Sequence, residues 1–221
     1  MAPPIVSATI QTAIISAISN VLAQAITAHQ SSTPLIIDFI PVFQYALFSL
    51  LSTPPNFLWQ DFLESTFPAY APSSSGSKDA KGSAGEKKPR LNKRNTVIKT
   101  VLDQTAGMAV NTVLFSLFMH GIRQGMAHHY AARDGGDAQF GGLGFLLGGG
   151  APVVRYGDVA WAGVWAKAKA EFWDLVKAGW RFWPLVSLIN YVFVTSVEGR
   201  SLVGALAGLG WGIYLSLATS Q

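Results

Sequence analysis

The stretch WRFWPLVSLINYVFVTSVEGRSLVGALAGLGWGIYLS, from Trp180 to Ser216, decides the fold class of this chain. It is almost continuously apolar and long enough to cross a bilayer, since a spanning helix needs about 20 apolar residues. Few polar residues interrupt it, and each is costly in lipid: Asn190, Glu198 and Arg200. Such a stretch is typical of a membrane protein in which helices pack against helices.

Glycines occupy every fourth position in the second half of this stretch, at Gly204, Gly208 and Gly212. On a helix this spacing gives one flat face, which allows a second helix to approach closely. We therefore predict that the three glycines are helix-packing residues, either within the chain or between copies of it.

The same stretch resembles the C-terminal signature of the PMP22/Mpv17 family of small integral organelle membrane proteins. The matching residues are Trp183-Pro184, Asn190-Tyr191, Arg200, Trp211 and Tyr214-Leu215-Ser216. Earlier segments resemble further family signatures in the same order along the chain: Asn20 to Gln24, Pro54 with Trp59 and Leu63, and Asp103-Gln104. The chain departs from the family pattern at Ser187, where Gln is usual, and at Thr195, where Pro is usual.

This resemblance implies a membrane protein of peroxisomes or of the mitochondrial inner membrane. Some members of the family are regarded as weakly selective pores, so the resemblance implies a path for small solutes. Residues 1–37 contain no Asp, Glu, Lys or Arg, which is unlike an Arg-rich mitochondrial presequence. We therefore expect an internal targeting signal, and the peroxisomal membrane is favoured by a small margin.

Composition supports the membrane interpretation independently. Of the 221 residues 50% are hydrophobic and 13% are charged, and the mean hydropathy is +0.32. A typical soluble domain carries about 25% charged residues. The length suits one domain, residues 1–221, with four or five spans. The chain has no cysteine, so disulfide bonds and cysteine-based metal sites are excluded.

Five segments are long or apolar enough to be considered as spans. They are roughly 5–28, 35–59, 97–122, 180–197 and 201–218. Pro54-Pro55 is expected to end or kink the second helix, because proline removes a backbone donor. Only Glu198-Gly199-Arg200 separates the last two segments, so they are either two short tilted spans or one bent unit. The predicted fold is an all-α, polytopic membrane helix bundle with four or five spans.

Two insertions between the apolar segments are predicted to be flexible. Residues 71–95 carry seven Lys and Arg against two acids, which predicts a disordered basic loop on the cytosolic or matrix-like side. Residues 125–157 contain a glycine-rich run without nucleotide-binding spacing. The adjacent His128 and His129 point in different directions, which is unfavourable for a metal site. We expect no metal, no cofactor and no bound nucleic acid.

Residues 158–179 have the pattern of an amphipathic helix. Trp161 and Trp165 share its apolar face, and Lys167, Glu171 and Asp174 lie opposite. The helix is expected in the membrane interface, where Trp rings settle at headgroup level, or packed on the end of the bundle; the two positions are compatible. Four tryptophans are predicted interface anchors: Trp161, Trp165, Trp183 and Trp211.

Asp103 is the residue that the sequence singles out for function. A carboxylate inside an apolar helix is costly unless it is paired or hydrated. We expect Asp103 either to line an aqueous path or to pair with Arg200 or Lys99. The same choice between pore lining and interhelical hydrogen bonding applies to the other polar residues of the apolar segments. These are Gln24, Gln104, Asn111, Asn190 and Arg200.

Two functions stay open on the sequence alone. The chain has no catalytic motif of the hydrolase, metalloprotease or nucleotide-binding kinds, so we predict that it is not an enzyme. One hypothesis is a weakly selective pore for small solutes. The other is a non-conducting structural or regulatory membrane protein that binds partners or lipids. The expected partners are membrane lipids, a second copy of the chain and small solutes.

Overall fold

A computed structural model describes residues 3–70, 91–134, 144–147 and 152–219. Within these ranges the structure is all-α, with no strand beyond an isolated bridge between Tyr70 and Leu91, so the predicted class is confirmed. The helices are α1 (Pro4–Gln30), α2 (Phe39–Thr66), α3 (Lys93–Leu102), α4 (Met108–Gly125), α5 (Ala127–Asp134), α6 (Gly144–Leu147), α7 (Trp161–Gly179), α8 (Trp183–Phe193) and α9 (Val197–Thr219). A π-helical turn at Asp103–Gly107 joins α3 to α4, and a 3-10 turn at Tyr156–Asp158 precedes α7.

The two segments predicted to be flexible lie partly outside the described residues. The residues not described there are 71–90, 135–143 and 148–151. In the described remainder, α3 begins inside the first segment, and α5 and α6 belong to the second. Phe145 of α6 is buried against Ile40, Ile122 and Met126. This apolar cluster holds α6 on one end of the bundle.

α1 and α2 form an antiparallel pair. The Ser16 hydroxyl donates to the Tyr45 carbonyl at 3.3 Å. Close to the connection between the helices, Gln24 Nε2 donates to the Asp38 carbonyl at 2.8 Å. Asp38 also starts α2, because its carboxylate accepts the Ile40 N–H at 3.0 Å and satisfies one open donor of the first turn.

α2 continues through Pro54 and Pro55 to Thr66. The helix end predicted at these prolines is therefore not found. Each proline removes one N–H from the helical ladder, but α2 packs against α1, α4 and α9 and is held on several sides. Because α2 runs past Trp59, it carries Glu64 into the bundle.

α3, the π-helical turn and α4 form one continuous helical segment, Lys93–Gly125, which runs antiparallel to α2. At one level Phe48 of α2 packs against Phe115 and Phe118 of α4, with ring centroids 5.3 Å apart in both pairs. At another level Glu64 of α2 meets Lys99 of α3. These contacts fix the register of the two helices over most of their length.

α7 runs antiparallel along α4 from end to end. The Ala160 N–H, just before α7, donates to Gln124 Oε1 at 2.9 Å. Just after α7, Trp180 Nε1 donates to the Gln104 carbonyl at 2.9 Å. α8 follows in the same direction and packs along α3. α7 therefore lies beside α4, rather than only on the end of the bundle.

α8 and α9 form an antiparallel hairpin. Phe182 and Trp211 stack with centroids 5.4 Å apart, and Asn190 Nδ2 donates to the Arg200 carbonyl at 3.4 Å. The break between the helices lies at residues 194–196, because Glu198 and Arg200 already belong to the first turn of α9. The predicted break at 198–200 was therefore misplaced, and the one-bent-unit interpretation was wrong.

The glycine face of α9 does not make a close contact inside the chain where the structure describes it. A Cβ atom added at Gly204 or Gly208 would meet no atom within 4 Å. The side-chain surroundings of Gly212 lie outside the described residues. The internal-packing form of the glycine prediction thus has no support at Gly204 and Gly208.

The outward surface of the bundle is largely apolar. Exposed large side chains recur every fourth residue along α1, at Val6, Ile10, Ile14, Ile18 and Leu22. Exposed apolar side chains also project from α2, α4, α8 and α9. A soluble monomer rarely exposes so extended an apolar surface, whereas a bilayer accommodates it.

Two of the five predicted segments qualify as spans by length and composition. They are α1, Pro4–Gln30, and the continuous segment Lys93–Gly125. α8 has 11 residues, which gives it a length of about 16 Å. That length is well short of the hydrocarbon core of a bilayer, about 30 Å, so α8 does not cross a membrane by itself.

Candidate functional site

An ion cluster joins three helices at one end of the bundle. Glu64 Oε2 of α2 lies 2.6 Å from Lys99 Nζ of α3 and 2.6 Å from Arg200 Nη2 of α9. Lys99 and Arg200 are 0% and 2% exposed. One carboxylate thus neutralises part of the charge of two buried cations, which are costly to bury without a counter-charge.

Tyr191 of α8 completes the Glu64 ion cluster, which consists of Glu64, Lys99, Tyr191 and Arg200. Lys99 Nζ lies 4.7 Å and Arg200 Cζ 5.2 Å from the centroid of the Tyr191 ring, so both cations interact with its π face. Arg200 Nε also donates to the Val194 carbonyl at 3.1 Å. The cluster therefore ties α2, α3, α8 and α9 together.

Asp103 is the centre of a second polar group, the Asp103 node, one helical turn from the ion cluster. Its Oδ1 accepts Gln60 Nε2 at 3.0 Å and Trp59 Nε1 at 3.3 Å. Its Oδ2 accepts the Ser187 hydroxyl at 2.8 Å and Gln104 Nε2 at 3.3 Å. Four neutral donors thus replace the hydration of one carboxylate.

The predicted ion pair between Asp103 and either Arg200 or Lys99 is wrong. Both cations bind Glu64 instead. The reason is the antiparallel register, which places Gln60 of α2 and Ser187 of α8 at the level of Asp103. Glu64 lies one turn farther along α2, at the level of Lys99.

The π-helical turn begins at Asp103 and ends at Gly107. A π turn inserts an extra residue into a helix and changes the direction of the side chains that follow it. Gly107 allows Trp59 to approach: a Cβ atom there would lie 2.9 Å from Trp59 Nε1 and 3.2 Å from Asp103 Oδ1. The close contact between α2 and this turn therefore requires glycine.

A third polar contact joins α4 to α7 near the middle of both helices. The Ser116 hydroxyl donates to Glu171 Oε1, and His120 Nε2 lies 3.0 Å from the same oxygen. Val164, Ala168 and Val176 form the buried face of α7. Glu171 thus faces α4 together with these residues. The helix pattern predicted that it lies opposite the apolar face, and that prediction is wrong.

The other predicted polar residues do not share one cavity. Gln24 bonds to Asn20 and to both backbone groups of Asp38, at 2.8 Å in each case. Asn111 donates to the Gly107 carbonyl of its own helix at 3.0 Å. About 20 residues of α2 separate the Gln24 contact from the Asp103 node, which corresponds to about 30 Å. The polar faces of the first and third helices therefore neither meet nor enclose a common space.

Two surface grooves are apolar and lie away from these polar groups. One, of about 210 Å³, lies between α4 and α7 and is lined by Val113, Trp165, Ala168, Lys169 and Phe172. The other, of about 330 Å³, lies between α1 and α2 and is lined by Ile5, Val6, Thr9, Ile10 and Pro54. The predicted pore-lining residues belong to neither groove.

The predicted interface anchors fall into two groups. Trp161 and Trp165 of α7 are 54% and 47% exposed, as expected of rings that reach a membrane surface. Trp183 and Trp211 instead pack on Phe182, with centroids 5.4 Å from it in both cases. This second pair holds α8 to α9.

His128 and His129 lie next to the described part of the glycine-rich insertion. His129 Nε2 is 3.0 Å from the Val153 carbonyl. Burial, the neighbouring His129 and Arg155 lower the pKa of His128. In the portion of the chain that the structure describes, no three His, Asp or Glu side chains gather as metal ligands.

Comparison with known proteins assigns the C-terminal part of the chain. Residues 157–216 match the model of the Mpv17 / PMP22 family. The chain is therefore similar to this family over its C-terminal part. No solved structure gives a significant match.

Individual relatives match over short stretches. PXMP2/4 family protein 3 of Dictyostelium discoideum is 45% identical over 51 residues, 23% of this chain and 27% of that protein. Protein SYM1 of Candida glabrata is 33% identical over 55 residues, 25% of this chain and 26% of that protein. Protein SYM1 of Yarrowia lipolytica is 34% identical over 53 residues, 24% and 26% of the two chains. The matches thus span about a quarter of each relative's length.

The Mpv17/PMP22 match covers only one side of the polar site. Ser187, Tyr191 and Arg200 lie within residues 157–216, whereas Glu64 and Asp103 lie outside.

Glu64 was not among the residues predicted from the sequence, because the second predicted span ended at Trp59. A usable signal was the i, i+4 spacing of three polar pairs. These pairs are Gln60 with Glu64, Lys99 with Asp103, and Ser187 with Tyr191.

Glu64→Gln is expected to destabilise the protein strongly. The change leaves Lys99 and Arg200 buried without a carboxylate, and breaking a buried ion pair costs about 3 kcal/mol. The free energy of unfolding in detergent, measured by chemical denaturation, is expected to fall by that amount. Asp61→Asn, at an exposed position of α2, is the matched control and should change it by about 0.5 kcal/mol or less. Equal effects of the two substitutions would show that the ion cluster does not stabilise the fold.

Gly107→Ala is expected to separate Trp59 from Asp103. The added methyl group would overlap Trp59 Nε1, and overpacking of this kind costs about 2 kcal/mol. Thermal unfolding in detergent and the Trp fluorescence spectrum report the change. Gly163→Ala in α7, where a Cβ meets nothing within 4 Å, is the control and should not lower the unfolding temperature or change the spectrum, since alanine favours a helix over glycine. A variant as stable as the native chain would contradict the close-approach role of Gly107.

Proposed function

We propose that this chain is a member of the Mpv17 / PMP22 family and gives small solutes a weakly selective path across an organelle membrane. The observation that supports this proposal is the presence of ionisable side chains at the depth of the spans. Glu64, Lys99 and Asp103 lie towards one end of the bundle, and His120 and Glu171 lie near its middle. Ionisable residues inside membrane helices are rare and often mark solute or ion paths.

A further feature agrees with a path for polar solutes. Buried Gln104 Oε1, Asn190 Oδ1 and Arg200 Nη1 have no hydrogen-bond partner among the described residues, so they retain the capacity to bind water or a polar solute.

We infer five passes through the membrane. α1, α2, the segment Lys93–Gly125, the pair α7–α8 and α9 follow one another in alternating directions. α8 is too short to cross alone, but α7 and α8 together run beside the whole of Lys93–Gly125. The start of α1 and the end of α9 therefore lie on opposite sides.

Epitope tags fused at the two ends of the chain check this arrangement. In intact organelles, one tag is expected to be accessible to antibody only after the membrane is permeabilised. Four passes would place both tags on the same side and would contradict the inference. The same cells, stained for peroxisomal and mitochondrial markers, tell which of the two organelles carries the protein.

One observation favours the non-conducting alternative. Asp103, the predicted pore residue, accepts four hydrogen bonds from side chains of the same chain. A carboxylate satisfied in this way serves packing, and such interhelical hydrogen bonds specify a bundle without any transport. The alternative is a membrane protein that holds partners or lipids.

Leakage from proteoliposomes tests the pore. Liposomes with the purified protein are expected to release small sugars and organic acids up to a size limit, above the level of empty liposomes. Asp103→Asn is expected to keep that limit, because Asn still accepts hydrogen bonds in the node, while stability falls. Absence of leakage from protein that is folded and inserted would contradict the pore and favour the non-conducting alternative.

A further inference from the structure

The groove between α4 and α7, which we call the α4–α7 groove, lies near the point where the exposed apolar surface of the segment Lys93–Gly125 ends. Exposed apolar side chains along this segment extend from Val97 to Leu114, and the next exposed side chain is Arg123. The segment has 33 residues and is therefore about 50 Å long. Since this exceeds the hydrocarbon core of a bilayer, about 30 Å, one end leaves the core, and the exposed side chains place that exit between Leu114 and Arg123.

The register of α7 gives the α4–α7 groove an outer and an inner end. α7 starts beside Gln124 and runs antiparallel to α4. Trp165 and Lys169 therefore lie at the end of the groove that points out of the core. Phe172 and Val113 lie at the end that points into it. The groove thus has its cation on the side of the headgroups and its apolar side chains on the side of the acyl chains.

Lys169 is exposed and has no carboxylate partner among the described residues. Its ammonium lies over the ring of Trp165, with Nζ 5.9 Å from the ring centroid. The two acids of α7 are engaged elsewhere, since Glu171 bonds to α4 and Asp174 Oδ1 lies 3.9 Å from Lys177 Nζ. The α4–α7 groove therefore combines an apolar lining with one uncompensated positive charge.

We propose that the α4–α7 groove binds one anionic phospholipid of the membrane. An acyl chain lies between Phe172 and Val113, and the phosphate binds the ammonium of Lys169. Trp165 supplies a ring suited to the headgroup level, where the tryptophans of membrane proteins concentrate. Each part of the lipid meets its chemical complement in the order in which a bilayer presents them, with the headgroup outside and the chain inside.

The charge of the groove selects an anionic headgroup. A zwitterionic headgroup brings an ammonium group beside its phosphate, and the side chains that line the groove include no carboxylate to receive it. A soluble anion would bind Lys169 but leave the apolar lining uncovered. Because the lipid contacts both helices, its binding stabilises the pairing of α7 with α4. The site needs a bilayer and is independent of any solute path.

Quenching of tryptophan fluorescence by brominated lipid tests the site. The full chain is reconstituted in phosphatidylcholine vesicles with increasing fractions of phosphatidylglycerol that carries bromine on its acyl chains. We expect saturable quenching at low fractions, stronger than with brominated phosphatidylcholine at the same fraction. The chain has seven tryptophans, so Trp165→Phe identifies the signal from the groove and should remove most of the saturable part.

Two matched pairs of variants locate the lipid. Lys169→Gln should raise the phosphatidylglycerol fraction at half-maximal quenching about fivefold, whereas Lys177→Gln, which removes the same charge from the same helix, should leave it unchanged. Val113→Phe fills the groove and should abolish saturable quenching, whereas Leu114→Phe, at the adjacent exposed position, should not. Lys169 is exposed, so its variant tests the site even if Val113→Phe does not fold.

Each alternative occupant has its own result. Equal quenching by the two brominated lipids would show unselective lipid contact and overturn the proposal. Equal effects of the two lysine substitutions would overturn the role of Lys169, and saturable quenching in folded Val113→Phe protein would place the lipid outside the groove. Relief of the quenching by inorganic phosphate at matched ionic strength would assign the site to soluble anions instead of a lipid.

Discussion

The binding of Glu64 to two buried cations is the interaction on which the described architecture depends. Lys99 and Arg200 each lie 2.6 Å from the same carboxylate oxygen, and both contact the ring of Tyr191. Two cations without an anion are prohibitively costly inside a bundle. α2, α3, α8 and α9 must therefore meet at this end, and the register of the remaining contacts follows from that meeting.

That register explains the Asp103 node. Gln60, Asp103 and Ser187 each lie one turn from a member of the ion cluster, on three packed helical segments of which the one that carries Asp103 runs opposite to α2 and α8. Two polar layers are thus stacked, one carrying ions and one built from neutral donors around a carboxylate. Gly107 is part of the same arrangement, because it leaves room for Trp59 beside Asp103. A carboxylate at span depth needs donors such as the four around Asp103, since lipid offers no substitute for water.

The sequence alone identified several residues of the polar site. It did not predict which of them bind each other. Asp103, Asn190 and Arg200 stood out as polar residues in apolar segments. Glu64 was passed over because Pro54 and Pro55 were expected to interrupt its helix, whereas packing on several sides carries α2 through them. Glu171 was placed on the wrong side of its helix, since hydrophobic periodicity does not anticipate a bond to Ser116 and His120. The all-α class and the segments Pro4–Gln30 and Lys93–Gly125 followed from hydropathy.

The sequence by itself determined the all-α class and predicted a membrane protein, because the hydropathy of each apolar segment depends only on its own residues. It also carried the family signature between α7 and α9. Only the tertiary structure decided which charges meet. Glu64 and Lys99 are 35 residues apart, and Asp103 and Ser187 are 84 apart. Partners at such separations depend on the direction and register of packed helices, which no local pattern encodes. The same packing turned the charged side of α7 away from the bundle.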